Sequence, residues 1–123
     1  MNIVELKEKK IRDTIRAFVD KECMPVMAEH FDKGTFPVQL IPKLAGLGLF
    51  GVHVDGYGCN QSNHTTYGLI CQELERGDSG LRSFVSVQGS LCMLPIHTYG
   101  SEEQKTRWLP GMSRGELIGC FGL

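Results

Sequence analysis

The chain has 123 residues, of which 41% are hydrophobic and 22% charged, the composition of one ordinary globular domain or of a piece of a larger protein. The net charge is −1 and the basic residues are scattered, which argues against binding to nucleic acid or to an anionic membrane surface. No apolar run approaches the roughly 18–20 residues that a membrane-spanning helix needs, and the charged start MNIVELKEKK is unlike a secretory signal.

The first part of the chain predicts three helices. Residues 3–23 place apolar side chains on one face and charged side chains on the other, which is typical of an amphipathic helix. Pro25 fits the start of a short second helix that ends at Gly34. Phe36 and Pro37 open a third helix that ends near residue 46 or 48, and a turn-rich loop, GVHVDGYGCNQS, follows it.

Two longer helices are predicted in the middle of the chain. Ser62 or Asn63 caps a helix that breaks at Gly77. Asp78 or Ser79 caps the next helix, which is expected to cover residues 80–99.

The end of the chain predicts one more helix and then a strand. Ser101, followed by two glutamates, begins a helix that Pro110 closes. The apolar stretch LIGCFGL is typical of a strand, so residues 117–123 predict the start of a β domain that continues beyond the chain. The alternative is a terminal strand that packs on the helices. The sequence as a whole predicts an all-α domain of about six helices.

Two apparent motifs do not predict a binding site. The stretch GLGLFG matches a dinucleotide-binding pattern, but a helical pattern precedes it where that pattern requires a strand. Its glycines fit the end of a helix better. His53, Cys59 and His64 match no zinc spacing, so no metal site is predicted.

The five cysteines show no paired spacing and predict reduced thiols, as in the cytosol or an organellar matrix.

A polar stripe is predicted on the helix that covers residues 80–99. Arg82, Ser86, Ser90 and Met93 recur at spacings of three and four, which places them on one helix face. A second, apolar face carries Phe84, Val87 and Leu91 and is expected to pack in the core. Arg82 lies in the first helical turn, where anions are favoured, and Glu75 lies just upstream of it. On the residues alone, Arg82 is either part of a ligand site or a surface residue paired with Glu75.

Longer motifs carry a resemblance to a known family. ELERGDSGLRSFVSVQGSL and PIHTYGSEEQKTRWLPGMSRGELIGCFGL resemble the N-terminal region of the acyl-CoA dehydrogenases. IRDTIRAFVDKECMP and FPVQLIPKLAGLGLFGV are similar to the opening helices of that family. The pairing of SGLRSFVSVQ with YGSEEQK is most similar to its glutaryl-CoA branch, from which Phe84 and the loop CNQSN depart.

The resemblance implies an enzyme of three domains. Residues 1–116 would form its N-terminal helical domain and residues 117–123 the start of its middle β domain. It implies FAD as the cofactor, with Phe121, Gly122 and Leu123 as the flavin contacts in this chain. The general base of the family is a glutamate in the third domain, which removes the α-proton while hydride passes from the β-carbon to the flavin. No catalytic residue is therefore expected in this chain.

The resemblance also implies a substrate. In the glutaryl-CoA branch, the arginine and serine that match Arg82 and Ser86 bind the far carboxylate of the acyl chain, and Ser83 lies close to it. Glu75 is expected to support the arginine. The implied reaction is α,β-dehydrogenation of the thioester with decarboxylation to crotonyl-CoA, a step in lysine and tryptophan degradation.

The implied partners are an acyl-CoA substrate, an electron-transfer flavoprotein and further copies of the enzyme in a homotetramer. The implied location is the cytoplasm in a bacterium or the mitochondrial matrix in a eukaryote. A different class of function also stays open: a stand-alone helical interaction module, derived from such an enzyme and without catalysis.

Overall fold

Helices form nearly all the regular structure of the chain. The computed structural model describes residues 3–122. A 3₁₀ turn, Val38–Leu40, leads into the third helix. No strand occurs within residues 3–122, so the predicted all-α class is confirmed. The α-helices are α1 (Ile3–Phe18), α2 (Met24–Lys33), α3 (Ile41–Gly46), α4 (His64–Gly77), α5 (Ser79–Ser86), α6 (Leu94–Tyr99) and α7 (Glu102–Ser113).

Two π-helical segments join neighbouring α-helices without a break. Val19–Cys23 connects α1 to α2, and Val87–Met93 connects α5 to α6. Each segment ends two residues before a proline, Pro25 or Pro95. Proline has no N–H to donate and its ring crowds the carbonyl four residues back, so a wider turn before it relieves the clash. The helices predicted at 3–23 and from Pro25 to Gly34 are therefore one continuous helix, and the described residues form five continuous helical runs rather than about six.

Three of the predicted helix starts are confirmed in atomic detail. The Asn63 side chain accepts a hydrogen bond from the Thr66 N–H at 2.7 Å and caps α4. The Asp78 carboxylate accepts from the Leu81 N–H at 2.8 Å and caps α5. Ser101 and Gln104 form a reciprocal capping box at the start of α7.

The end of the chain differs from the prediction in two ways. Helix α7 continues through Pro110 to Ser113, because Leu109 and Met112 bury their side chains in the core on either side of the proline. Residues 118–122 form no strand, since no neighbouring strand within residues 3–122 offers the hydrogen bonds that a strand needs. Leu123 lies outside the described residues.

The core lies between α1, α4, α5 and α7. Helix α4 packs against α1 on one side and against α5 on the other. Buried residues from these helices, from the first π-helical segment, from α3 and from the loop after α3 form one apolar cluster that includes Val19, Leu44, Phe50, Leu74, Leu81 and Leu109. The arrangement holds α4 and α5 side by side, and these two helices carry the predicted site.

The α1–α4 contact also contains a buried carboxylate. Glu73 on α4 is 1% exposed, and its two oxygens accept hydrogen bonds from Arg16 on α1 at 2.7 and 3.1 Å. Arg76 donates to the same carboxylate at 3.0 Å and to Asp20 at 2.7 Å. Charge-assisted contacts of this kind offset the cost of burying the carboxylate.

Candidate acyl-chain site on helices α4 and α5

Arg82 pairs with Glu75, the partner that the sequence names both for a surface pair and for a ligand site. The Arg82 Nε donates to the Glu75 Oε2 at 2.6 Å, across the junction between α4 and α5. The Arg82 side chain is 35% exposed, so solvent or a ligand reaches it. Among the described residues Glu75 is the only side-chain hydrogen-bond partner of this guanidinium, and it contacts Nε rather than the two terminal nitrogens.

The charge of Arg82 is secured by the same contact. The hydrogen bond to Glu75, and then its negative charge, raise the pKa of Arg82 above the ordinary arginine value. The start of α5 is less open to an anion than expected, because the Asp78 carboxylate already caps it. An anion at this place would therefore be bound by the guanidinium rather than by the helix end.

Ser86 lies one turn after Arg82 within a chain of hydroxyl groups. Its Oγ donates to the Arg82 carbonyl at 3.0 Å and accepts from the Tyr67 hydroxyl at 3.3 Å. The Tyr67 hydroxyl also lies 3.0 Å from the Ser90 Oγ. The sequence offers no signal for Tyr67 as a site residue, because it lies 19 residues before Ser86 and fits the apolar pattern of α4.

Three other positions on the helical run from Ser79 to Tyr99 need separate description: Ser83 beside Arg82, Met93 on the predicted stripe and Leu91 on the predicted apolar face. Ser83 is half-buried on α5, and no side-chain hydrogen bond to another described residue is found for it. Met93 is fully buried in the core rather than on the polar face. Leu91 is 43% exposed rather than packed in the core. Both differences follow from the π-helical segment, because its longer turn changes the residue spacing that brings side chains onto one face.

Phe84 fills the core beside the site. Its ring lies 4.7 Å from the ring of Phe36 and 5.9 Å from that of Phe50, centroid to centroid. A bulky residue at this position therefore occupies space between α5 and the segment around α3 rather than the space around Arg82.

An apolar groove of about 710 Å³ lies on a different surface, and its lining includes none of Arg82, Ser83 and Ser86. It lies between the α6 region, α7 and the residues that follow α7. Several of its large apolar side chains are exposed, which is unusual for the surface of an isolated domain. They are Leu91, Tyr99, Trp108, Leu117 and Ile118.

Gln88 ties the last described residues to this region. It is 1% exposed, and its amide nitrogen donates to the carbonyls of Met112 at 3.1 Å and Leu117 at 2.8 Å. Its amide oxygen accepts from the Gly119 N–H at 2.8 Å. A Cβ at position 119 would lie 2.7 Å from the Cys92 side chain, so only glycine fits there without a shift. Gln88 thus fixes the backbone immediately before Phe121 and Gly122.

The two predicted flavin contacts that the structure describes are both accessible. The Phe121 ring is 50% exposed, and nothing lies within 4 Å of the position of a Cβ on Gly122. An exposed aromatic ring beside open backbone is compatible with the approach of a flat ring system. Within residues 3–122, no group of three or more potential ligand side chains is placed to hold a metal ion. The same residues contain no helix with the length and apolar character needed to cross a membrane.

Comparisons with known proteins identify a family for most of the chain. Residues 6–116 match the family model described as acyl-CoA dehydrogenase, N-terminal domain. The human mitochondrial short-chain specific acyl-CoA dehydrogenase is 34% identical over 98% of this chain and 30% of its own length.

Two solved structures of related enzymes superpose on the chain. A glutaryl-CoA dehydrogenase from Mycobacterium smegmatis, in complex with FADH2, is 52% identical, with a TM-score of 0.92 over 95% of this chain and 30% of that one. Butyryl-CoA dehydrogenase from Megasphaera elsdenii is 28% identical, with a TM-score of 0.79 over 90% of this chain and 30% of that one. The chain thus spans about a third of the length of these relatives. Because one family model covers most of its residues, the chain belongs to the acyl-CoA dehydrogenase family, of which it forms the N-terminal domain.

Proposed function

We propose that the chain is the N-terminal domain of an FAD-dependent glutaryl-CoA dehydrogenase and that Arg82 binds the distal carboxylate of the substrate. The observation that carries the proposal is the Arg82 guanidinium, which Glu75 holds through Nε while its terminal nitrogens stay available. Two parallel N–H groups match the two oxygens of a carboxylate. Ser86 lies one turn along the helix, and its hydroxyl, which donates to the Arg82 carbonyl in the structure, would turn its proton to the bound carboxylate.

The relatives support this substrate over a short uncharged acyl chain. The Mycobacterium smegmatis glutaryl-CoA dehydrogenase is 52% identical, against 34% for the human short-chain enzyme and 28% for the butyryl-CoA enzyme. A saturated chain without a terminal charge would leave the Arg82 guanidinium without a ligand. A dicarboxylic acyl chain pairs with that charge.

The cofactor would be held partly by residues at the end of this chain. Phe121 and Gly122 are accessible, and Gln88 fixes the backbone that precedes them. FAD, when bound, would accept the hydride from the β-carbon of the acyl chain. Within this domain the proposed roles are to bind the substrate carboxylate with Arg82, Ser86 and Ser83, and to present residues 121–123 to the flavin.

The test compares charged and uncharged substrates in the complete enzyme. A charge-assisted hydrogen bond contributes about 1.5–3 kcal/mol, which corresponds to roughly ten- to a hundredfold in binding. Arg82→Met is therefore expected to lower kcat/KM for glutaryl-CoA by about that factor and to leave pentanoyl-CoA nearly unchanged. Arg82→Lys should recover only part of the loss, because lysine lacks the planar pair of donors. Ser86→Ala should cost less, about 1 kcal/mol.

Arg114→Met is the matched control, because Arg114 pairs with Glu116 through two hydrogen bonds at the surface. It should leave kcat/KM unchanged for both glutaryl-CoA and pentanoyl-CoA. Equal losses of kcat/KM on glutaryl-CoA and pentanoyl-CoA in Arg82→Met would contradict the proposed substrate and leave a general acyl-CoA dehydrogenase. A complete protein that binds no flavin and turns over no acyl-CoA would instead support the interaction module.

A further inference from the structure

Tyr67 connects two serines on the site face of the neighbouring helix. It lies on α4, and its hydroxyl contacts the Oγ of Ser86 and the Oγ of Ser90 at 3.3 and 3.0 Å. We infer that Tyr67 is a positioning residue for substrate selection, which turns the Ser86 hydroxyl toward an acyl-chain carboxylate bound by Arg82. The inference rests on the proposed function and adds to it a residue from outside the Arg82 helix.

Each hydroxyl group has one proton, and this fixes the donor and the acceptor of every hydrogen bond among Ser86, Tyr67 and Ser90. The Ser86 hydroxyl has one proton, which it donates to the Arg82 carbonyl. The Tyr67 hydroxyl donates its one proton to Ser86. The contact between Tyr67 and Ser90 must then use the Ser90 proton, with Tyr67 as the acceptor. The hydrogen bonds are therefore all donated in one direction, from Ser90 to Tyr67 and from Tyr67 to Ser86.

This direction makes Ser86 a better donor to an anion. A hydroxyl that accepts a hydrogen bond becomes polarised, and its own proton is donated more strongly. When a carboxylate reaches Arg82, the Ser86 proton can turn from the Arg82 carbonyl to the carboxylate while Tyr67 still donates to its oxygen. Without Tyr67, the Ser86 oxygen would be free to take other orientations, and part of the donor strength would be lost.

The Tyr67 ring is held firmly enough for this role. The His53 ring packs edge-on against it, with 4.3 Å between centroids and 62° between the planes. Burial, and then the electrostatic effect of the neighbouring His64 ring, lower the pKa of His53, which favours the neutral imidazole beside the tyrosine. The contact between α4 and α5 sets the distance from Tyr67 to Ser86.

The test removes only the Tyr67 oxygen from the complete enzyme. Tyr67→Phe is expected to raise the KM and the dissociation constant of glutaryl-CoA about three- to tenfold, the loss of one hydrogen bond. It should leave kcat and the constants for pentanoyl-CoA within about twofold. Tyr57→Phe is the matched control, because the Tyr57 hydroxyl donates to Glu102 at 2.7 Å on another part of the surface. It should leave the KM and the dissociation constant unchanged for both substrates.

A double-mutant cycle shows whether Tyr67 acts through Ser86. In a Ser86→Ala enzyme, Tyr67→Phe should have no further effect on glutaryl-CoA, since the group it positions is gone. Ser90→Ala should give a smaller loss in the same direction as Tyr67→Phe. A full Tyr67→Phe effect in the Ser86→Ala background, or equal losses on both substrates, would overturn the role assigned to Tyr67.

The outcomes for Tyr67 and for the proposed function are distinct. If Arg82→Met selectively impairs glutaryl-CoA but Tyr67→Phe does not, the proposed function stands and the role of Tyr67 is wrong. If Arg82→Met impairs both substrates equally, the carboxylate site itself is wrong, and the role of Tyr67 falls with it. Far-ultraviolet circular dichroism and melting temperature establish that each variant is folded before its KM and dissociation constant are compared with those of the wild type.

Discussion

Glu73 makes the stability of the domain depend on pH. The hydrogen bonds from Arg16, and then the one from Arg76, lower the pKa of this buried carboxyl below its ordinary value. A carboxyl with a lowered pKa in the folded state contributes stability above its unfolded pKa, near 4.5, and loses it as the pH falls through the folded pKa. We expect the free energy of unfolding to decrease as the pH falls below about 4.5.

Glu73→Gln tests this contribution. The variant keeps the shape but not the charge, and we expect it to lower the free energy of unfolding by about 1–3 kcal/mol at pH 7. Urea unfolding measured between pH 3 and 7 should show the difference from wild type shrinking on the acid side. Glu29→Gln breaks an exposed pair with Lys33 and should cost at most about 0.5 kcal/mol. A difference between wild type and Glu73→Gln that stays constant with pH would contradict the role of the Glu73 charge.

Residue roles that depend on neighbours in sequence could be predicted, and those that depend on distant partners could not. The caps Asn63, Asp78 and Ser101 bond to groups three residues away, so the sequence shows both partners at once. Glu73 and Arg16 are 57 residues apart, and Gln88 reaches Gly119 across 31 residues. Nothing in the local pattern pairs them, because the pairing is set by how whole helices pack.

At the scale of helices, the first π-helical segment packs tightly against the end of α4. A Cβ on Gly77 would lie 2.6 Å from the Val19 Cγ1, and Val19 is fully buried with a stiff, β-branched side chain. Gly77→Ala is therefore expected to lower the free energy of unfolding by about 1–3 kcal/mol through overpacking. Chemical denaturation of the purified chain measures this change.

Gly68→Ala is the control on the same helix. Nothing lies within 4 Å of the position of its Cβ, so the substitution should stabilise α4 by up to about 1 kcal/mol. Val19→Ala should cost less in the Gly77→Ala background than in the wild type, since the added methyl group fills part of the space that the smaller side chain leaves. Stabilisation by Gly77→Ala alone would show that the contact with Val19 is not tight.

Helix existence could be predicted well from periodicity, but the joints between helices could not. Pro25 predicts the start of a separate helix. In the structure, Pro25 lies just after a wider π-helical turn within one continuous helix. Pro95 does the same after Val87–Met93, which moves Leu91 out of the core and Met93 into it. A change in residues per turn is not visible in a pattern that assumes a fixed period.

At the scale of the whole molecule, residues 3–122 leave an apolar surface uncovered. The groove between the α6 region and α7 has exposed Tyr99 and Trp108 on its lining, and Ile118 continues it toward Phe121. The chain spans about 30% of the length of the glutaryl-CoA dehydrogenase it resembles. In the proposed enzyme, the remaining domains would have enough surface to cover the groove.

Trp108 makes that covering visible in fluorescence. It is the single tryptophan of the sequence, it is 39% exposed on the groove, and the Arg107 guanidinium lies 4.6 Å from its ring centroid. Indole emission moves to shorter wavelength when water leaves the ring, so a complete enzyme carrying no other tryptophan should emit at shorter wavelength than residues 1–123 alone. Trp108→Phe should abolish the tryptophan emission of the complete enzyme and of residues 1–123. Identical emission maxima of the two proteins would mean that the groove stays exposed to solvent. In the proposed enzyme, Trp108 would thus serve as an intrinsic optical probe of how the domains assemble.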